Sequence, residues 1–233
     1  MTKKQLLEMF ETDNFKPELK LTDSLEEAIE SVLKPHEDSF LEFHSKVQEI
    51  IEREIKDRTD SSILQIIVPE SVNSITFADI CNWQKELFEH KKYQIQEWIE
   101  KANCIEQYDI KPYEISDRDA LLKRINNLPN QEINLSLRQK EVTVSGRKCP
   151  PPMLLEELKE FCFPIKIDDD IVSIHYREIC HGRDNKQLLN TLTDWYKLFN
   201  QIHFFEDLNG RLGGIVVNIL SHILTGKYVT ITY

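Results

Sequence analysis

Apolar residues return at three- and four-residue intervals through most of this chain, the spacing of helices that bury one face. Leu6, Leu7 and Phe10 open a short amphipathic segment that Pro17 limits. Leu25, Ala28, Ile29, Val32 and Leu33 mark a second helix, with Thr22 as its N-cap, Glu26 and Glu27 in its first turn and Pro35 at its end. Phe40, Phe43, Val47, Ile50, Ile51 and Ile55 predict a third helix, reaching about Arg58. The apolar run at 63–68 is a candidate short strand, although such runs are ambiguous. Ser74 or Thr76 caps a helix whose Phe77, Ile80, Trp83 and Leu87 fall on one side. Over 91–130 two helical stretches, around Trp98 and Ile99 and around Leu121, Leu122 and Ile125, flank a loop at Pro112, as in an insertion.

The rhythm changes at 132–146. Ile133, Leu135 and Leu137 alternate with polar residues, and so do Val142 and Val144, which predicts a β-hairpin closed by Gly146. Its open edges could pair with an extended peptide or serve only as a structural flap. Pro150, Pro151 and Pro152 then give a rigid start to a helix through Met153–Phe161. Asp168–Asp170 suit the start of another helix, with His181 and Gly182 at its end. Leu188, Leu192, Trp195, Phe199 and Ile202 predict a helix over 186–202. Leu212, Ile215, Val216, Ile219 and Ile223 predict a more apolar one over 209–225, about 25 Å long. The expected fold class is mostly α, with one hairpin.

Composition narrows the function. A chain of 233 residues with a formal net charge of −11 and a pI near 5.2 lacks the basic footprint of a general nucleic-acid binder. A small basic pocket for phosphates remains compatible with that charge. The five cysteines are odd in number and unpaired in spacing, which argues against a disulfide framework and for a reducing compartment. The N-terminus has no apolar run like that of a secretory signal, and no window resembles a membrane span. The expected location is the cytosol, with export lacking a cleaved signal left open. Cys162, His175, Cys180 and His181 have no CxxC pair and read as structural residues rather than zinc ligands.

The chemistry gathers between the last two helices. Three of the six glycines, Gly210, Gly213 and Gly214, lie within residues 203–214, HFFEDLNGRLGG. A helix start presents main-chain N–H groups and a partial positive charge, so Asn209 and Gly210 mark an anion site that Arg211 can reinforce with a fork of donors. Asp207 beside bound phosphate suits Mg2+, a hard cation that takes carboxylate and phosphate oxygens. His203 could accept the proton of an incoming hydroxyl. Together these parts describe phosphoryl or nucleotidyl transfer.

HFFEDLNGR resembles the signature of the Fic family, HxFx(D/E)GNGRxxR, with His203, Phe205, Asp207, Asn209, Gly210 and Arg211 on motif positions. The hairpin at 132–146 resembles that family's target-docking flap, the triple proline its exit, and residues 76–88 an early core helix of the domain. The resemblance implies a Fic-type helical bundle with a β-hairpin flap over 71–233, preceded by an N-terminal helical region at 1–70. It also implies transfer of AMP from ATP to a Ser, Thr or Tyr hydroxyl of a target protein held by the hairpin. In that scheme His203 is the general base, Asp207 binds Mg2+, Asn209 and Gly210 form the anion hole with Leu208 beside them, and Arg211 orients the phosphates. Phe205 is a packing anchor.

The chain departs from the signature twice. Leu208 stands where Gly or Ala is usual, and Gly214 stands where the family has its closing arginine, associated with the terminal phosphate of ATP. A different donor, as in relatives that transfer phosphocholine or phosphate, and a domain that binds without turnover are both open. Thr22–Glu26 and Ser45–Glu49 match only the first half of the family's inhibitory-helix pattern, (S/T)xxxE(G/N). Gly213 and Gly214 also have a plain structural reading, close packing of the helix that carries them.

Overall fold

The computed structural model describes residues 15–34, 40–63, 74–90, 137–144, 147–168, 171–174, 177–180, 185–205 and 207–233. The segment around Leu6, most of the run at 63–68, the helices expected within 91–130 and the first half of the expected hairpin lie outside them.

In chain order the elements are β1 (Glu18–Thr22), α1 (Leu25–Leu33), α2 (Phe40–Ile63), β2 (Ser74–Ile75) and α3 (residues 77–90). There follow β3 (Thr143–Val144), β4 (Arg147–Lys148), a 3-10 turn (Pro152–Leu154) and α4 (Leu155–Cys162). The chain then forms β5 (Ile165–Asp168), β6 (Ile171–Ile174), β7 (Arg177–Cys180), α5 (Asn185–Ile202), α6 (Asn209–Thr225) and β8 (Tyr228–Thr232). The described residues are thus mostly helical, with small antiparallel sheets around the helices. None of the described helices is long and apolar enough to cross a membrane.

The most apolar helix is the centre. Every residue of α6 from Arg211 to Ser221 is buried, so neighbours must cover it on all sides. It packs against α5, α2, α1 and β8. A Cβ on Gly213 would meet the Tyr196 ring at 3.0 Å and the Phe199 ring at 3.2 Å. A Cβ on Gly214 would lie 2.5 Å from Val32 Cγ2 and 2.7 Å from Cγ1. The packing explanation of these glycines therefore holds, and Gly214 is the seat of α1. Ile29, Val32 and Leu33 of α1 and Phe43, Val47 and Ile50 of α2 join one core with α5 and α6.

β1 and β8 close the far side. They pair antiparallel, Leu19 opposite Ile231 and Leu21 opposite Val229. Asn218, wholly buried in α6, donates to the Gly214 carbonyl at 3.0 Å. Its Oδ1 accepts from the Val229 N–H at 2.9 Å, and Ser31 Oγ accepts from the Ile231 N–H at 2.9 Å. Thr22 ends β1 and so cannot begin α1 as expected. Ser24 caps the helix instead, accepting from the Glu27 N–H at 3.2 Å. Thr22 Oγ1 supports that cap from the strand, accepting from the Ser24 N–H at 3.1 Å. At α3 the expected cap at Thr76 forms reciprocally with Asp79, while Ser74 belongs to β2.

Two expectations are corrected. The helix expected to begin at Asp168–Asp170 and end at His181 does not form: β5, β6 and β7 are antiparallel strands in a sheet of order β2-β5-β6-β7. Ile165 and Ile167 alternate with Lys166 and Asp168, a period of two, and Asp168 pairs with Ile171 across residues 169 and 170. The described part of the expected hairpin also differs: Thr143 pairs with Lys148 and Val144 with Arg147, and residues 137–142 carry no strand. The reason is that Arg138 directs its main-chain N–H to the Phe204 carbonyl at 2.9 Å, tying this stretch to the loop before α6.

Gly214→Ala tests the packing of α6 against α1. The substitution gains up to ~1 kcal/mol of helix propensity, but crowding a packed core costs typically ~1–3 kcal/mol. A net loss is expected in urea unfolding, and Val32→Ala in the same chain should recover part of it. Strictly additive effects of the two changes would contradict a direct clash.

Candidate functional site

The loop from His203 to Leu208 joins two core helices. The His203 N–H donates to the Phe199 carbonyl at 3.1 Å, and His203 then turns left-handed with φ 56. A left-handed residue after a helix is a common stop, though glycine usually supplies it. Phe204 and Phe205 follow, both buried. Phe205 stacks on Phe77 of α3 at 5.5 Å between ring centroids, and Phe204 packs at 5.5 Å from both Phe77 and Phe199. The two rings fix the loop to α3 and α5.

Asn209 then brackets the loop from the helix side. It is 1% exposed; its Oδ1 accepts from the Phe205 N–H at 3.0 Å and its Nδ2 donates to the Phe205 carbonyl at 2.8 Å. Both polar groups of its amide are thus engaged with one residue's backbone. What Asn209 can offer an anion is its main-chain N–H in the first turn of α6. Leu208 precedes it in the left-handed region, φ 71 and ψ 0, with its side chain buried. Its carbonyl accepts the first helical bond, from Leu212 at 2.9 Å. The position that departs from the resembled signature is therefore one where glycine's conformational freedom has a physical use, and here burial of the leucine side chain opposes the backbone strain.

Asp207 stands at the helix start with its side chain 52% exposed. Its Oδ1 accepts from the Leu208 N–H at 2.6 Å and from Arg211 Nη2; Oδ2 takes part in neither bond. Arg211 is buried, with its guanidinium carbon 5.1 Å from the centroid of the Phe43 ring in α2. The arginine is thereby gripped between a carboxylate and an aromatic face. Gly210, half-buried, is anchored through its carbonyl, which accepts from the Tyr196 hydroxyl at 3.3 Å. Burial keeps the Tyr196 phenol well above its ordinary pKa.

The six expected site residues, His203, Asp207, Leu208, Asn209, Gly210 and Arg211, thus share one loop and the first turn of one helix. Asp207 and Arg211 are in direct contact, and Asn209 acts on the loop. Among the described residues no group of three or more His, Cys, Asp or Glu side chains could hold a metal ion. Asp207 is a hard carboxylate ligand of the kind that Mg2+ takes together with phosphate oxygens and water. Cys162, one of the residues read as structural rather than as zinc ligands, is buried in α4 with a thiol that burial raises, in keeping with an inert core residue.

Three contributors were not visible in the sequence. Arg138 lies in the polar RQKE that reads as a turn, yet it is 2% exposed and donates from Nε to the His203 carbonyl at 2.6 Å. Phe43 reads as a plain core position, and nothing in the spacing of the 186–202 helix singles out Tyr196. All three act on residues distant in sequence, so no local spacing announces them.

Compared with models of protein families, with curated protein sequences and with solved structures, the chain matches none of them.

Asn209→Ala would leave the buried Phe205 N–H and carbonyl without the partner that now serves both. A loss of ~1–3 kcal/mol in urea unfolding is expected. Asn209→Asp keeps an acceptor for the N–H but sets a carboxylate against the carbonyl, so it should not restore stability. Wild-type stability in the alanine variant would dismiss the bracket.

Proposed function

We propose that this chain is a Fic-like transferase that moves AMP, or another phosphate-linked group, from a nucleotide donor to a Ser, Thr or Tyr hydroxyl of a target protein. The observation that carries the reading is the construction of the α5–α6 loop. A histidine at the exit of one core helix and a half-exposed aspartate at the start of the next are held in place, the first through its main-chain carbonyl by Arg138 and the second by Arg211, while Asn209 brackets the loop between them.

In this reading His203 accepts the hydroxyl proton as the oxygen attacks phosphorus, and pyrophosphate leaves when ATP is the donor. The first-turn N–H groups of α6, at Asn209 and Gly210, face the developing phosphate charge, and Leu208 sets the angle at which the helix begins. Mg2+ at Asp207 supplies neutralisation of the phosphate oxygens. Arg211 acts through Asp207, which it orients, as well as through its own charge. The target peptide would lie along the short edge offered by β3 and β4.

A second reading has its own support: a module of the same kind that binds nucleotide or peptide without turnover. Gly214 is packed against Val32, so the helix position that would carry a closing arginine has no room for one. Arg211, the remaining motif arginine, is buried against Phe43 and bonded to Asp207.

Incubation with labelled ATP and with other diphosphate donors separates the two. Transfer to itself or to lysate proteins is expected, reduced by at least about a hundredfold in His203→Ala. Nucleotide binding by calorimetry with no pyrophosphate release and no labelling from any donor would establish the binding module instead.

A further inference from the structure

We propose that Arg138 is the positioning residue of the site: it fixes the left-handed turn at His203 and couples that turn to the stretch leading into β3. The role rests on the transferase reading for its catalytic consequence, but not for its geometry. Arg138 is buried, and its guanidinium is surrounded by main-chain carbonyls. Nε donates to the His203 carbonyl at 2.6 Å, Nη1 to the Lys140 carbonyl at 2.7 Å, and Nη2 to the Pro150 carbonyl and, at 3.4 Å, to that of Ile202. Its own N–H donates to the Phe204 carbonyl at 2.9 Å. One residue thus holds the carbonyls of three consecutive positions at the end of α5.

Those carbonyls are where the geometry of the base is decided. Ile202 and His203 close a helix whose C-terminal end carries partial negative charge, and a cation there is favourable. The His203 carbonyl lies on the far side of the torsion that follows its Cα. Clamping it, together with the next carbonyl, fixes the backbone from which the imidazole projects. The remaining bonds run the other way. Lys140 and Pro150 lie on either side of β3 and β4, and the Cys149 N–H closes the same stretch onto the Val142 carbonyl at 3.0 Å. The strand edge available to a target peptide and the turn that bears His203 are therefore joined through one guanidinium. A planar fork of five donors makes this possible; a lysine ammonium on a flexible stem does not reproduce it.

The test uses the whole chain. In the wild-type protein, NMR should detect coupling across the hydrogen bond between Arg138 Nε–H and the His203 carbonyl carbon. In Arg138→Lys the His203 imidazole resonances should shift and broaden. The transfer rate constant kcat should fall about tenfold to a hundredfold, while KM for the donor stays within about twofold, as for a loss felt at the chemical step. A folded Arg138→Lys with unmoved His203 resonances overturns the proposal. So does the absence of the coupling in the wild type, a measurement that stands even if every Arg138 variant fails to fold. If the chain transfers nothing from any donor, the transferase reading falls, while the coupling and the His203 resonances still decide whether Arg138 sets the turn.

Discussion

The structure depends on the burial of α6 from all sides. A helix with an outward polar face needs a core on one flank only, but α6 is covered by α5, α2, α1 and β8 together. Two adjacent glycines make that enclosure possible. Successive positions on a helix are separated by about 100° around its axis, so Gly213 and Gly214 open two different sides, one to Tyr196 and Phe199 and the other to Val32. The start of the helix is then fixed by everything that surrounds its middle. A site built there inherits rigidity without needing any of its own side chains to supply it, which is the condition for precise positioning of reacting groups.

Polar groups inside this enclosure are mostly assigned to the backbone. Asn209 serves Phe205, Asn218 serves Gly214 and Val229, Tyr196 serves Gly210, and Arg138 serves the end of α5. Buried polar atoms are costly unless matched, and main-chain carbonyls and N–H groups are partners whose places the fold already determines. The same arrangement sustains two left-handed residues that are not glycine, His203 and Leu208, each at a cost of roughly 1–2 kcal/mol. Local strain at a chemically equipped loop persists only where the surroundings over-determine the conformation. Here they do, through Arg138 on one side and Asn209 on the other.

The sequence was legible where periodicity and packing agree. α5 and α6 run almost to the residues expected from their apolar spacing, and α3 begins at the expected cap. It misled where a local signal had a stronger competitor. Asp168–Asp170 look like a helix start, yet the alternation of Ile165 and Ile167 and the pairing of β5 with β6 decide the matter. Thr22 has the composition of a cap but is claimed by β1, and the cap passes to Ser24. The linear order of the candidate site was readable because its residues are neighbours in the chain. The support for it was not: Arg138 lies 65 positions from His203, and Phe43 reaches Arg211 from another helix. Contacts of that range come from topology, which a one-dimensional pattern does not contain.

The pairing of β1 with β8 has a consequence for how the protein is made. Lys20 and Thr230 meet across a separation of 210 positions. A ribosome delivers β1 and α1 well before α6 and β8, so their apolar residues Leu19, Ile29, Val32 and Leu33 lack those later partners for most of synthesis. The central helix is in turn apolar on every side at the moment it emerges. Loop closure over such a span is slow compared with local helix formation, and chains in that condition expose surface that associates. The nascent protein thus carries apolar segments that wait on partners made much later, a distribution suited to capture by a chaperone until β8 has paired.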